Sequence, residues 1–84
     1  MSYRVLLTKA ARKQLDALPT PAIESISERL LQLRDNPRPS GCKKLQGRDG
    51  WRIRVGDYRV IYHVQDDALV VLVLTVGHRR DVYR

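Results

Sequence analysis

With 84 residues and 43% hydrophobic content, the chain has enough apolar material for an ordered core and room for one domain, spanning 1–84. A lone cysteine rules out an internal disulfide and, with only two histidines, a typical zinc site; the N-terminal apolar run is just Val5-Leu6-Leu7, so a cytoplasmic protein without metal or other cofactor is expected. The formal charge of +7, with arginine supplying 12 of the 16 basic residues, fits a nucleic acid or an acidic protein as partner, and equally a charge that only keeps a small protein soluble.

Tyr3, Val5 and Leu7 alternate with other residues and predict a first strand. Thr8 is placed to cap a helix running to about Leu18, where Pro19 stops it, with Ala11, Leu15 and Leu18 on one face. Thr20 is the expected cap of a second helix, with Pro21 in its first turn and Asn36-Pro37 at its end. Ile23, Ile26, Leu30 and Leu33 give that helix an unbroken apolar stripe, too short for a coiled coil and suited to packing on a sheet. The helices are nearly contiguous and form a hairpin. Residues 36–50 follow as an irregular basic loop that contains Lys43, Lys44 and Arg48, pinned by Leu45.

From Trp51 the hydrophobic period changes to two. Trp51 to Val55 and Tyr58 to Val64 predict strands joined at Gly56-Asp57, a pair suited to a type II′ turn. Ala68 to Val76 is almost continuously apolar, as a strand in the middle of a sheet should be, and Gly77 ends it. The expected fold is α+β, ordered βααβββ, with a helical hairpin packed on a mainly antiparallel four-stranded sheet.

A two-residue turn at 56–57 sets Arg54 opposite Arg59. It puts Trp51, Ile53, Val55, Tyr58, Val60 and Tyr62 on the core face, and Arg52, Arg54, Arg59, Ile61 and His63 on the other. Like charges about 5 Å apart repel by roughly 1 kcal/mol in water and about 3 kcal/mol at an effective dielectric near 20. A polyanion would relieve that repulsion. Arg79, Arg80 and Arg84 follow the next strand, within reach of the same area. The carboxylates are scattered, no phosphate-binding glycine loop is present, and Cys42 has no paired base at recognisable spacing. Any chemistry must run on cations, a tyrosine or a histidine.

The segments KKLQGRDGWRIRVGDYRVIYHV and VLTVGHRRDVYR, with the opening YRVLLTKAARKQLDALP, closely resemble the RelE branch of the RelE/ParE toxin superfamily over nearly the whole chain. The resemblance implies a toxin of a type II toxin–antitoxin system with the RelE-like fold. It implies an endoribonuclease that cuts mRNA in the ribosomal A site through attack of a 2′-hydroxyl, leaving a 2′,3′-cyclic phosphate. By position, Arg52, Arg54, Arg59, Arg79 and Tyr83 are the catalytic candidates, and Lys43, Lys44, Arg48, His78, Arg80 and Arg84 the further RNA-binding candidates. Well-studied members carry lysine where Arg52 and Arg54 stand, and arginine cannot exchange a proton, which leaves proton transfer to Tyr83 or His78. His78 reads equally well as a plain strand-end residue. The resemblance also implies an acidic RelB-like antitoxin, contacts to 16S rRNA, no membrane, and DNA only through the antitoxin. Val70, Leu72 and Leu74, beside Ile61, are candidate apolar anchors for it. Two other functions stay open: a ParE-like, non-enzymatic inhibitor of DNA gyrase, and an inert antitoxin-binding homologue.

Overall fold

Thr8 ends the first strand and starts the first helix. Its hydroxyl accepts a hydrogen bond from the Ala11 N–H at 3.1 Å, satisfying one of the donors that a helix start leaves without an intrahelical partner. The computed structural model describes residues 2–78 and 80. They run as β1 (Arg4–Leu7), α1 (Lys9–Asp16), α2 (Thr20–Gln32), β2 (Lys43–Lys44), β3 (Trp51–Val55), β4 (Tyr58–Gln65) and β5 (Val70–His78). Thr20 does not cap α2 as expected. It is the first helical residue, and Pro19 stands at the cap position without a side-chain bond. Pro21 still falls in the first turn, where a missing N–H loses no intrahelical bond.

The strands form one sheet in the order β1-β5-β4-β3-β2, with β1 parallel to β5 and every other pair antiparallel. The expected four strands are present, and the basic loop adds a fifth. Gly41 takes φ of 93°, open in practice only to glycine, and Lys43 and Lys44 then pair with Arg52 and Trp51. Two residues are too few to leave a periodic signal, so the sequence shows only a loop there.

Both helices cover one face of the sheet. Ala11 and Leu15 of α1 and Ile26 and Leu30 of α2, with Leu33, meet Ile53, Val60, Tyr62, Val71, Val73 and Val76 in a single buried cluster. Trp51, Val55 and Tyr58 pack against its margin, so the core face is the one that alternation assigned. Among the described residues no helix is long and apolar enough to cross a membrane.

Pairing between β4 and β5 slips by one residue. Ile61 opposes Thr75 and Tyr62 opposes Val73, which leaves Leu74 as an inserted residue. β1 has only four residues against nine in β5, so part of the edge of β5 lacks a strand partner. α1 supplies bonds in its place. The Thr8 hydroxyl donates to the Leu74 carbonyl at 3.3 Å, and the Gln14 carboxamide oxygen accepts from the Val76 N–H at 2.9 Å.

Side-chain hydrogen bonds tie the loop between α2 and β3 to the sheet. The fully buried Tyr62 donates its phenolic hydrogen to the Pro37 carbonyl at 2.7 Å. Burial pushes this phenol above its ordinary pKa, and the neighbouring Cys42 adds to the shift, so the hydroxyl stays a donor. Arg38 forms a two-pronged bond to Asp66 at 3.1 and 2.8 Å, and Tyr3 donates to the same carboxylate at 2.7 Å. Gly50, buried at φ of 133°, sits where a Cβ would lie 2.9 Å from Leu45 Cδ1.

Two measurements test this account. Tyr62→Phe keeps the ring but leaves the Pro37 carbonyl without its donor, and should lower stability by about 1–2 kcal/mol. A reduced urea midpoint at unchanged m would register it. The hydrogen bonds from Arg38 and then Tyr3 hold the Asp66 carboxylate down to about 2, below the roughly 3.9 of an unfolded aspartate. Its stabilisation is therefore complete above about pH 4 and disappears as pH falls through about 2. Urea midpoints measured across that window should fall less steeply in Asp66→Asn than in the parent.

Candidate functional site

Gly56 has φ of 60° while Asp57 stays out of the left-handed region, the backbone pattern of a type II′ turn. This turn sets the register of β3 on β4. Val55 opposes Tyr58, Arg54 opposes Arg59, Ile53 opposes Val60, and Arg52 opposes Ile61. Arg52, Arg54 and Arg59 thus share the face turned away from the helices. β2 adds Lys43 directly opposite Arg52, and Gly77 of β5 stands opposite Arg59. The row Arg54, Arg59, Gly77 ends without a side chain, so β5 raises no wall there.

These residues surround an open depression of about 200 Å³ lined by Gly41, Lys43, Arg52, Arg54 and Arg59. A second hollow of about 540 Å³, with Lys43, Lys44, Arg48 and Arg52 in its wall, shares Lys43 and Arg52 with the first. No carboxylate lines either. Arg54 is exposed and its Nε donates to the Gly56 carbonyl at 3.1 Å, which directs the guanidinium along the hairpin end. Arg52 and Arg59 are half-buried on the same face as Ile61, which is only 2% exposed although it lies outside the main core. Long arginine stems can cover such a residue while their heads remain at the surface.

His78 falls elsewhere. It opposes Tyr58 and meets that ring edge-on at 6.0 Å, on the core-facing side of the sheet. It follows Gly77 by one position, and a strand turns successive side chains to opposite faces, so His78 stands on the face opposite the arginines, where the plain strand-end reading puts it. Its Nδ1 accepts from the Arg80 N–H at 3.3 Å. Arg80 is exposed just past β5. Arg79, Tyr83 and Arg84 lie outside the described residues. His63 lies 3.0 Å through Nε2 from the Asp49 carbonyl, and because a carbonyl only accepts, this nitrogen carries the hydrogen. That bond ties β4 to the 45–50 loop and gives His63 a structural role. Leu72, opposite His63, and Val70, opposite Gln65, share the outer face with Ile61 as anticipated.

Sequence reading missed Arg38. Its guanidinium lies over Trp51, 5.3 Å from the ring centroid, while gripping Asp66. Partners so distant along the chain leave no local pattern to find.

The face can be set beside known proteins. A family model described as the ParE toxin of the type II toxin–antitoxin system parDE matches residues 5–83. Toxin RelG of Mycobacterium tuberculosis is 33% identical over 88 residues, covering 100% of this chain and 99% of that protein. The chain belongs to the RelE/ParE superfamily of type II toxins. The mRNA interferase toxin RelE of Escherichia coli K12 is 30% identical over 94% of the chain and 85% of its own length. In structure, the toxin is similar to a chain of the archaeal RelE–RelB complex from Pyrococcus horikoshii, with a TM-score of 0.85 and 34% identity over 96% of this chain and 99% of that one.

In this RelE/ParE toxin the opposed arginines carry an electrostatic penalty that a measurement can isolate. Arg54→Gln removes one of two facing like charges and should raise stability by up to about 1 kcal/mol at low salt. Screening shortens the range of the repulsion, so the gain should shrink toward zero near 0.5 M sodium chloride. Urea titrations of both proteins at low and high salt provide the comparison.

Proposed function

We propose that this toxin is an mRNA endoribonuclease that acts on the message in the ribosomal A site, without a metal, through Arg52, Arg54, Arg59, Arg79 and Tyr83. The observation that carries the reading is the facing pair Arg54 and Arg59 beside Arg52 and Lys43, in a depression lined by no carboxylate. An E. coli relative is named an mRNA interferase, which supports the same chemistry.

The reaction that suits this face is transfer within one phosphodiester. The 2′-hydroxyl oxygen bonds to the adjacent phosphorus and releases its proton, the bond from phosphorus to the 5′ oxygen breaks, and that oxygen takes up a proton. The products are a 2′,3′-cyclic phosphate and a 5′-hydroxyl. Arginine forks bind the non-bridging oxygens and stabilise charge that grows as the fifth oxygen approaches. They also hold the attacking and leaving oxygens in line. Arginines cannot exchange protons at neutral pH, so Tyr83 is the proton carrier in this reading, or stacks on the base beside the scissile bond. Lys43, Lys44, Arg48, Arg80 and Arg84 bind flanking phosphates of the message or of 16S rRNA.

The partner that restrains the toxin is an acidic RelB-like antitoxin. The P. horikoshii relative was solved as a complex of RelE with RelB, and the outer face here offers Leu72 and Val70 as apolar anchors close to the arginines. DNA is reached only through the antitoxin.

Purified toxin added to translating ribosomes should produce 3′ ends within the A-site codon that carry a cyclic phosphate. Arg59→Ala and Arg79→Ala should each slow this cleavage by about 100-fold or more, the scale of losing one preorganised donor. The match to a ParE model favours a second reading, a gyrase inhibitor without chemistry of its own. Growth arrest with intact message and trapped gyrase–DNA complexes would establish that reading and overturn the first.

A further inference from the structure

Arg38 is held on two sides. Both terminal nitrogens bond the Asp66 carboxylate at 3.1 and 2.8 Å, and the guanidinium carbon lies 5.3 Å from the centroid of the Trp51 ring. The side chain is nevertheless 39% exposed. It opens on a hollow of about 310 Å³ whose wall also includes Lys44, Asp49, Trp51 and His63.

A guanidinium placed this way is poorly suited to gripping a phosphate. Asp66 matches its charge and takes hydrogens from its outer edge. What remains is a flat, weakly hydrated plane with its orientation already set, a surface on which a nucleobase can stack.

Shared wall residues link the hollow to the candidate active site. The hollow shares Lys44 with the basic hollow of Lys43, Arg48 and Arg52, which in turn shares Lys43 and Arg52 with the depression at Arg54 and Arg59. Trp51 stands three residues from Arg54 in the same strand, roughly 10 Å along the backbone. Its ring is on the opposite face of the sheet, so the path between them runs round the lysine edge. A single strand whose phosphate rests on the arginine pair can follow the lysines around the edge of the sheet and present a base at Arg38.

We infer that Arg38, clamped between Trp51 and Asp66, is a stacking platform for a nucleobase of the bound RNA, a short distance along the strand from the scissile phosphate. This subsite rests on the ribonuclease reading and adds a base contact beside the phosphate-binding cations.

Trp51 is the only tryptophan, so its emission reports on the platform directly. The probes are a 2′-O-methyl RNA heptamer, which lacks the attacking hydroxyl and cannot be cut, and an abasic phosphodiester oligomer of equal length. The heptamer should alter Trp51 emission and bind roughly tenfold more tightly than the abasic oligomer, as one stacked base warrants. Arg38→Lys keeps the charge and an ion pair with Asp66 but loses the plane. It should bind both probes equally, with abasic affinity within about twofold of the parent. If Arg38→Lys fails to fold, Asp66→Asn, which releases one side of the clamp, should reduce the preference instead. Equal binding of the two probes by the parent overturns the platform, as does an undiminished preference in the variant that folds. An acidic peptide that shifts Trp51 emission when the heptamer does not assigns the hollow to a protein partner and equally overturns it. Loss of the ribonuclease reading is separate: it shows as absence of message cleavage on ribosomes by the parent, whereas failure of the platform leaves that cleavage intact.

Discussion

Two residues between antiparallel strands leave almost no freedom in how those strands pair, and the Gly56-Asp57 turn exerts that constraint on the whole functional face. With Gly56 at φ of 60°, β3 and β4 leave the turn with Val55 against Tyr58, and every later pair follows. With β4 held in register by β5, a slip of one residue would turn Arg52 and Arg54 of β3 toward the helices and Ile53 out to solvent. The apolar set therefore enforces the register from one side of the sheet while the turn enforces it from the end. The arginines are gathered as a consequence, against their mutual repulsion, because burial of the opposite face outweighs it. A fully buried valine or isoleucine side chain contributes about 1.5–3 kcal/mol, more than a screened surface repulsion removes.

The layered architecture divides labour between the two faces. Both helices lie on one side, so the outer side of β3 and β4 is left to water and ligand. The sheet has unequal strands, and polar side chains make up the difference: Thr8 and Gln14 bond the part of β5 that the short β1 does not reach. The bulge at Leu74 changes the parity of β5 midway. It lets Val71 and Val73 face the core before it and Val76 after it, and it delivers Gly77, rather than a bulky residue, opposite Arg59.

The basic loop owes its order to bonds that reach into other elements. Tyr62 holds the Pro37 carbonyl, His63 holds that of Asp49, and Arg38 grips Asp66 at the turn between β4 and β5. Gly41 and Gly50 supply backbone angles that a side chain would resist. So fastened, Lys43 and Lys44 form an edge strand instead of a mobile tail, and their charge joins that of β3. An ordered set of cations loses less entropy on meeting a polyanion than a floppy one. Lysines on so short an edge also discourage another chain from adding a strand there.

Much of this was legible in the residues themselves. Alternation from Trp51 onward, the apolar stripe from Ile23 to Leu33 and the Gly-first turn together determined the two helices, the hairpin, its register and the facing of Arg54 on Arg59, because each depends on neighbours a few positions apart. The resemblance to RelE-type toxins likewise rested on contiguous segments and agrees with the family to which the chain belongs. Tertiary structure alone decided the rest. The two-residue β2, the bulge at Leu74 and the placement of His78 beside Tyr58 arise from pairing between strands, where one inserted residue reverses a face without marking the sequence. The assembly of Tyr3, Arg38, Trp51 and Asp66 joins residues up to 63 positions apart. Contacts between distant segments form only when the packed core brings those segments together, and a periodic pattern carries no record of them.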